Sequence, residues 1–349
     1  MVDHIQIEKR GYEMRIAVVG AGYWGTNLVR VFHQLGVLGR VCDFSAPRLQ
    51  QLAEKYPEVT MDTSYDAVLD DPSVDAVVVA TPAETHYRLA QKALLAGKDV
   101  YVEKPLTLHC EEAEKLTQLA ENSRQVLMVG HLLEFHPAIT RLCQLIANGD
   151  LGRLEYVYSN RLNMGKVRRE ENALWSFAPH DISVILLLLG QMPIQVAATG
   201  GTYLQPNIAD VTVSTMLFDR GVRAHLFVSW LHPYKEQKLV VVGEHRMAVF
   251  DDVRKTDKLQ IYDKKIGLVN GQFVAEKPAA RTIEFPPDEP LLLECQHFLD
   301  CIETRHTPKT DGRDGWRVLK VLEASQRSLT MNGEPVQLEP MRSLAVARA

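Results

Sequence analysis

The chain has 349 residues, more than one hydrophobic core usually serves, so its length predicts two domains. Its composition, 46% hydrophobic and 24% charged, is that of an ordinary globular protein, and a formal net charge of -5 lacks the basic surplus that nucleic-acid binding favours. The longest apolar run, Ile182–Leu189, is far shorter than the roughly 20 residues a bilayer requires, so no membrane span is expected. Residues 1–13 are polar and unpatterned and read as a mobile leader, with Met14 as an alternative start.

Arg15–Val19 is a compact apolar strand that runs into Gly20-Ala21-Gly22-Tyr23-Trp24-Gly25, a G-x-G-x-x-G. Leu28, Val31, Phe32 and Leu35 then recur at helical spacing. In that context the first glycine permits the tight turn, the second lets backbone approach a pyrophosphate, and the third lets helix and strand pack. The helix N-terminus would hold the phosphates, and Tyr23 and Trp24 lie in the same loop. A second strand, Val37–Cys42, ends at Asp43, about 20 residues beyond the glycines, where an acid meets the adenosine ribose. A carboxylate there repels a 2′-phosphate, so NAD is expected over NADP, although Ser45 and Arg48 lie nearby.

The βα alternation continues. Ala76–Ala80 reads as a buried strand, followed by Thr81, Pro82 and a helix approached through His86, which is placed in or near the cofactor crevice. Val100–Val102 is the next strand, and it runs into Glu103-Lys104-Pro105. The residue before a proline is driven towards extended backbone, so Lys104 should stand at the carboxyl end of that strand. In an open α/β sheet that end is where ligands bind. Glu112–Asn122 reads as a helix and Val126–Val129 as a strand. Strands separated by helices of this length imply a parallel, doubly wound sheet.

A strand, GAGYWG and a helix, then ATPAETH, EKP and GHLLEFHPA in that order, resemble the Gfo/Idh/MocA oxidoreductases. The resemblance covers nearly the whole chain. It implies an N-terminal Rossmann domain over 14–131 and, over 132–349, an α+β domain with a largely antiparallel open sheet. It also implies NAD contacts from Gly20, Gly22, Tyr23, Trp24, Gly25, Asp43, Ala80, Thr81, Pro82, His86, Glu103 and Lys104.

The second half changes character, as that domain requires. Leu154–Asn160, Val211–Phe218, Val222–Trp230, Lys238–Val242 and Met247–Phe250 are strand candidates. Asp219-Arg220-Gly221 marks a hairpin turn between two of them. Pro290–Glu303 and Gly315–Met331 read as helices. Pro179 and His180 are expected to open an apolar helix, Asp181–Leu189, so that the dipole at its N-terminus keeps the imidazole neutral. The family usually carries an Asp four residues before this His, and here Ser176 stands in its place. Arg161, Asn163, Lys166 and Asn172 precede it in a polar, basic segment suited to a nucleotide-sugar.

RLNMGK, NALW, APHD and EPLLLECQHF resemble the branch that oxidises the C3 hydroxyl of UDP-N-acetylglucosamine or of its uronic acid. That resemblance implies Lys104 and His180 as catalytic residues and a UDP-sugar as substrate. It also implies a 3-keto product for a PLP-dependent aminotransferase in amino-sugar and lipid A biosynthesis. UDP-N-acetylglucosamine is preferred, and a free-sugar or inositol dehydrogenase is the alternative enzyme. An NAD-sensing module without chemistry would not need Lys104 and His180. No nucleic-acid partner is expected, and a homodimer or homotetramer through the C-terminal sheet is implied by resemblance alone. Cys42, Cys110, Cys143, Cys295 and Cys301 form no CxxC pair, which fits reduced thiols in the cytoplasm. The spacing of Cys and His residues offers no metal site.

Overall fold

The computed structural model describes residues 13–276 and 278–338, so the expected leader lies outside the described residues except for Glu13. Two compact units form. The first takes residues up to 132 and then 289–319; the second takes 133–288 and the residues from 320 onward. The chain therefore leaves the first unit near the expected boundary but returns to it at Glu289.

In the first unit, β1 (Ile16–Val19), β2 (Leu38–Cys42), β3 (Thr60–Asp62), β4 (Ala76–Val79), β5 (Asp99–Glu103) and β6 (Leu127–Gly130) form one parallel sheet, ordered β3-β2-β1-β4-β5-β6. That is the doubly wound order, with its switch point between β1 and β4. Every residue of β1 and β4 is buried, as both-face coverage by helices demands. The crossover helices are α1 (Gly25–Gln34), α2 (Ala46–Lys55), α3 (Tyr65–Asp70), α4 (His86–Leu95) and α5 (Cys110–Ser123). Leu28 and Phe32 of α1 are fully buried, each worth about 1.5–3 kcal/mol on leaving water.

After the second unit comes helix Pro290–Thr304, which packs on α1 and brings Phe298 edge-on to Tyr101 at 5.7 Å. Burial of Leu291, Cys295, Phe298 and Leu299 explains why the chain returns. The segment after it lies antiparallel to β6, with Val129 N–H donating to Thr310 O at 2.8 Å.

The second unit opens with α6 (Pro137–Ala147), β7 (Leu154–Met164) and α7 (Ala173–Leu189). Its strands continue as β8 (Gln195–Gly201), β9 (Val211–Leu217), β10 (Arg223–Ser229), β11 (Leu231–Gly243), β12 (Arg246–Asp251) and β13 (Leu259–Asp263). β14 (Lys265–Val269) and β15 (Gln272–Glu276) form a separate hairpin, and β16 (Arg281–Thr282) and β17 (Val336–Gln337) complete the nine-stranded sheet. Its order is β16-β13-β12-β11-β7-β10-β9-β8-β17. The β7–β10 pair is parallel and its other pairs are antiparallel, with the expected turn at Asp219–Gly221 joining β9 to β10. The helix at Pro290–Thr304 is α8, and α9 (Gly312–Thr330) ends before β17.

Two expectations about this half need correction. β7 runs on to Met164, so Arg161 and Asn163 are strand residues, not loop residues. α7 begins at Ala173, two turns before Pro179, because Asn172 caps it: its Oδ1 accepts from Trp175 N–H at 3.2 Å. Pro179 is therefore a helix-interior proline, and His180 does not sit at a helix N-terminus. The dipole fades within the first turn, so it does not account for a neutral His180.

Candidate active site

The turn after β1 is shaped by its glycines. Gly20 has φ +91°, and a Cβ there would lie 2.6 Å from Ala80 O. A Cβ on Gly25 would lie 1.9 Å from Gly20 O, so neither position admits a side chain. A Cβ on Gly22 would meet nothing within 4 Å. The first and third glycines thus serve the protein's own packing, while Gly22 borders open space, as close approach of a pyrophosphate requires. Tyr23 is almost fully exposed on the same turn.

Asp43 directly follows β2, as expected, and is buried. Its Oδ2 accepts from Ala21 N–H at 2.7 Å and its Oδ1 from Ser45 N–H at 2.9 Å. Arg48 Nη1 adds a contact at 3.1 Å. The carboxylate thus braces the glycine turn and holds an arginine beside it.

The ends of β4 and β5 carry the remaining residues of this unit. Thr81 and Thr85 share a hydroxyl hydrogen bond of 2.6 Å, which folds the Ala80–Pro82 loop back on itself. His86, expected at the crevice, is buried, and both ring nitrogens are occupied by backbone: Nδ1 lies 2.7 Å from Pro105 O and Nε2 2.8 Å from Thr81 O. Glu103 accepts from Trp24 Nε1 at 2.5 Å and from Tyr101 OH at 3.3 Å. Burial pushes the Glu103 carboxyl above the usual carboxylate range, although Trp24 and Lys104 pull against it. Lys104 stands just past the carboxyl end of β5, and its peptide bond to Pro105 is cis.

In the second unit, the segment expected to bind substrate divides. Arg161 Nε donates to Asp181 Oδ2 at 2.5 Å, and Ser159 Oγ donates to Asp181 Oδ1 at 2.6 Å, so this cation is neutralised inside the unit. Asp181 thus ties α7 to β7. Asn172 spends its Oδ1 on the cap and its Nδ2 on Gln326 at 2.8 Å. Lys166 is exposed. Asn163 Oδ1 is buried without a hydrogen-bond partner among the described residues. His180 is half-buried on α7, one turn beyond the buried Ser176.

Comparison with known proteins agrees with this layout. Residues 14–131 match the model of the GFO_IDH_MocA oxidoreductase family, NAD-binding Rossmann fold, and residues 139–249 match a GFO/IDH/MocA C-terminal domain. A UDP-N-acetylglucosamine 3-dehydrogenase of Acidithiobacillus ferrooxidans is 30% identical over 309 residues, which is 88% of this chain and 94% of that protein. The chain belongs to the Gfo/Idh/MocA family. A solved structure of UDP-N-acetylglucosamine 3-dehydrogenase GnnA from the same organism superposes with a TM-score of 0.79 at 28% identity, covering 91% of this chain and 98% of that one. A scyllo-inositol 2-dehydrogenase (NAD(+)) of Bacillus subtilis is 27% identical over 95% of this chain and 98% of its own length.

As a Gfo/Idh/MocA oxidoreductase, the protein uses NAD as its cofactor. The glycine turn fits this, since Gly22 leaves open the space a Cβ would fill while its neighbours are closed. Sequence reasoning missed the Trp24–Glu103 bond and the Arg161–Asp181 pair, because neither is visible without the register of distant strands. It also missed a buried dyad in the first unit, where His131 Nδ1 lies 2.8 Å from Asp314 Oδ2 and Arg317 Nη2 donates to Asp314 Oδ1 at 2.7 Å. Burial raises the Asp314 carboxyl, but the bonds from His131 and Arg317 outweigh it and hold the group low. Among the described residues, no helix is long and apolar enough to cross a membrane.

Proposed function

We propose that the protein oxidises the C3 hydroxyl of UDP-N-acetylglucosamine to the 3-keto nucleotide-sugar. The end-to-end likeness to UDP-N-acetylglucosamine 3-dehydrogenase carries this reading. The product is a ketone, the substrate class of a PLP-dependent aminotransferase, and the pair of steps would yield a 3-amino sugar such as lipid A contains.

When bound, NAD supplies the acceptor for the hydride leaving C3. The protein must bind and orient the sugar and take the hydroxyl proton. Imidazole suits proton transfer near neutral pH, its ordinary pKa being about 6.5, so His180 is assigned as the base. Lys104 is assigned as the donor that positions and polarises the hydroxyl oxygen. The reading requires both side chains to reach the same hydroxyl. Ser176 lies one turn before His180 but carries no charge, so it does not stabilise an imidazolium as a carboxylate would.

For the nucleotide part, Lys166 is an exposed cation and Asn163 offers a buried acceptor. An unsatisfied buried acceptor costs about 1–3 kcal/mol, which a donor on a bound ligand would recover. Arg161 and Asn172 support the segment from behind. A second reading, a free-sugar or inositol dehydrogenase, is favoured by the likeness to the scyllo-inositol enzyme and by the loss of Arg161 as an available cation. NADH absorbance with UDP-sugars, free sugars and inositols tests both: turnover of inositol but not of UDP-N-acetylglucosamine would replace the first reading with the second.

We also read the protein as a homo-oligomer. Ser159 faces Asp181 of α7, so Tyr158 and its row lie on the other face of the sheet, where Tyr158 stacks on His225 at 5.1 Å. Tyr156 and Val213 are 41% and 40% exposed there, among Arg223, His225 and Thr215, a mixed face that a second copy would cover. No disulfide joins the five cysteines among the described residues, and we read the protein as cytoplasmic. Sedimentation tests the assembly: a monomer at micromolar concentration would end that reading.

A further inference from the structure

We propose that His86 is a positioning residue that locks the loop after β4 to the Lys104–Pro105 turn after β5 and thereby sets where Lys104 stands. The proposal rests on the reading of Lys104 as the group that meets the reacting hydroxyl. His86 is 1% exposed and opens α4. Its two ring nitrogens lie 2.7 Å from Pro105 O and 2.8 Å from Thr81 O, one in each loop. The first loop moves as a piece, because Thr85 Oγ1 bonds both Thr81 Oγ1 at 2.6 Å and Pro82 O at 2.7 Å. Pro105 directly follows Lys104, so the lock acts on the backbone next to Lys104.

The chemistry of the ring makes the lock responsive to protons. Both partners are carbonyl oxygens, which only accept. A neutral imidazole has one N–H and one lone pair, so it can hold one of them and repels the other. The imidazolium donates to both. Burial is the largest influence on this ring and disfavours its charge; the two carbonyls and Glu84 favour it, and Lys104 opposes it, leaving the group below its ordinary value. The doubly bonded lock is therefore the low-pH form, and one carbonyl is released as pH rises through the depressed value.

Hydrogen exchange reads the lock without any substrate. In the wild-type protein, the protection of residues 81–86 and 103–107, measured against their intrinsic base-catalysed exchange, falls as pH rises through the transition at which nitrogen NMR shows the His86 ring losing its second proton. A ring that never carries two protons, or one that titrates while the protection of these segments stays constant, overturns the proposal. In His86→Gln the same segments exchange faster by about tenfold, the loss of roughly one hydrogen bond, with β1 unchanged. With saturating NAD and UDP-N-acetylglucosamine, His86→Gln lowers kcat by about tenfold. In a Lys104→Met background the second substitution costs no further activity, because its effect passes through Lys104. Equal losses in both backgrounds refute action through Lys104. Normal turnover by Lys104→Met alone would instead sink the Lys104 reading, and exchange would still decide the lock.

Discussion

Replacing Arg161 by alanine asks whether this cation belongs to the substrate or to the fold. The Asp181 carboxylate is 4% exposed, and Arg161 meets it through Nε at 2.5 Å and Nη2 at 3.2 Å. Without the guanidinium, the charge keeps only the Ser159 hydroxyl at 2.6 Å. Removing one partner of a buried pair costs about 3–5 kcal/mol, and the remaining hydroxyl places this case near the lower figure. In bodies of about this size 1 kcal/mol moves the midpoint by about 2–4 °C, so Arg161→Ala should lower Tm by roughly 6–12 °C. Scanning calorimetry reads this directly. Lys166→Ala, an exposed position, should leave Tm within about 1 °C while raising KM for the nucleotide-sugar. Arg161→Ala/Asp181→Ala should be more stable than Arg161→Ala, because the orphaned charge is gone. An Arg161→Ala protein with unchanged Tm and a raised KM would refute the structural assignment and return Arg161 to the substrate.

Gly25→Ala should abolish NAD binding, since its Cβ would strike Gly20 O at 1.9 Å and the turn must open; near-normal affinity by titration would show the turn to be pliable. Asp43→Ala should weaken NAD by about tenfold or more and narrow its preference over NADP, and tighter NADP binding by the unmodified protein would defeat the assignment. Lys104→Ala and His180→Ala should each cut kcat by about a hundredfold or more, the scale of general acid–base catalysis, with NAD binding little changed for His180→Ala. Nearly normal turnover by His180→Ala would move the base to Lys104 or to a water. The Asp71 carboxyl is held down to about 2, first by Ser73 N–H and then by Arg40. Its folded value lies below its unfolded one, so its contribution is present above about pH 4 and fades as pH falls towards 2. Asp71→Asn should flatten that part of an acid-unfolding curve.

The first unit was legible because its signals are local. A buried parallel strand is a continuous apolar run, and a glycine turn between strand and helix has one geometry, so β1, β4, β5 and the ends of their strands fall where the residues put them. Helix α8 was legible as a helix but not as a part of this unit. What recruits it is Phe298 against Tyr101, a contact across almost 200 residues that no window of sequence contains. The same limit hid the true task of Asp43: its place after β2 could be read, but not that Ala21 N–H would claim one of its oxygens.

Pro179 shows how a sound local rule can give the wrong element. Proline favours the first turn of a helix, so a proline before an apolar run reads as a start. Here the start is six residues earlier, where Asn172 caps α7, and the proline's missing N–H leaves only Trp175 O without its intrahelical bond. The burial of Ala173, Leu174, Ser176 and Ala178 makes the extra turns worth forming. This matters for chemistry, because a histidine two turns inside a helix gains little from the dipole. Its protonation must then be set by side chains near it. At Ser176 the family's carboxylate is absent, and Asp181 is already neutralised by Arg161. If His180 is the base, its ring must be neutral when the hydroxyl gives up its proton. Turnover should therefore rise with pH until the ring is neutral. A kcat profile that instead falls above pH 7, measured with saturating NAD and UDP-N-acetylglucosamine, would mean that a protonated group limits turnover, which would fit Lys104 as the polarising cation and would count against His180 as the base whose titration sets the rate.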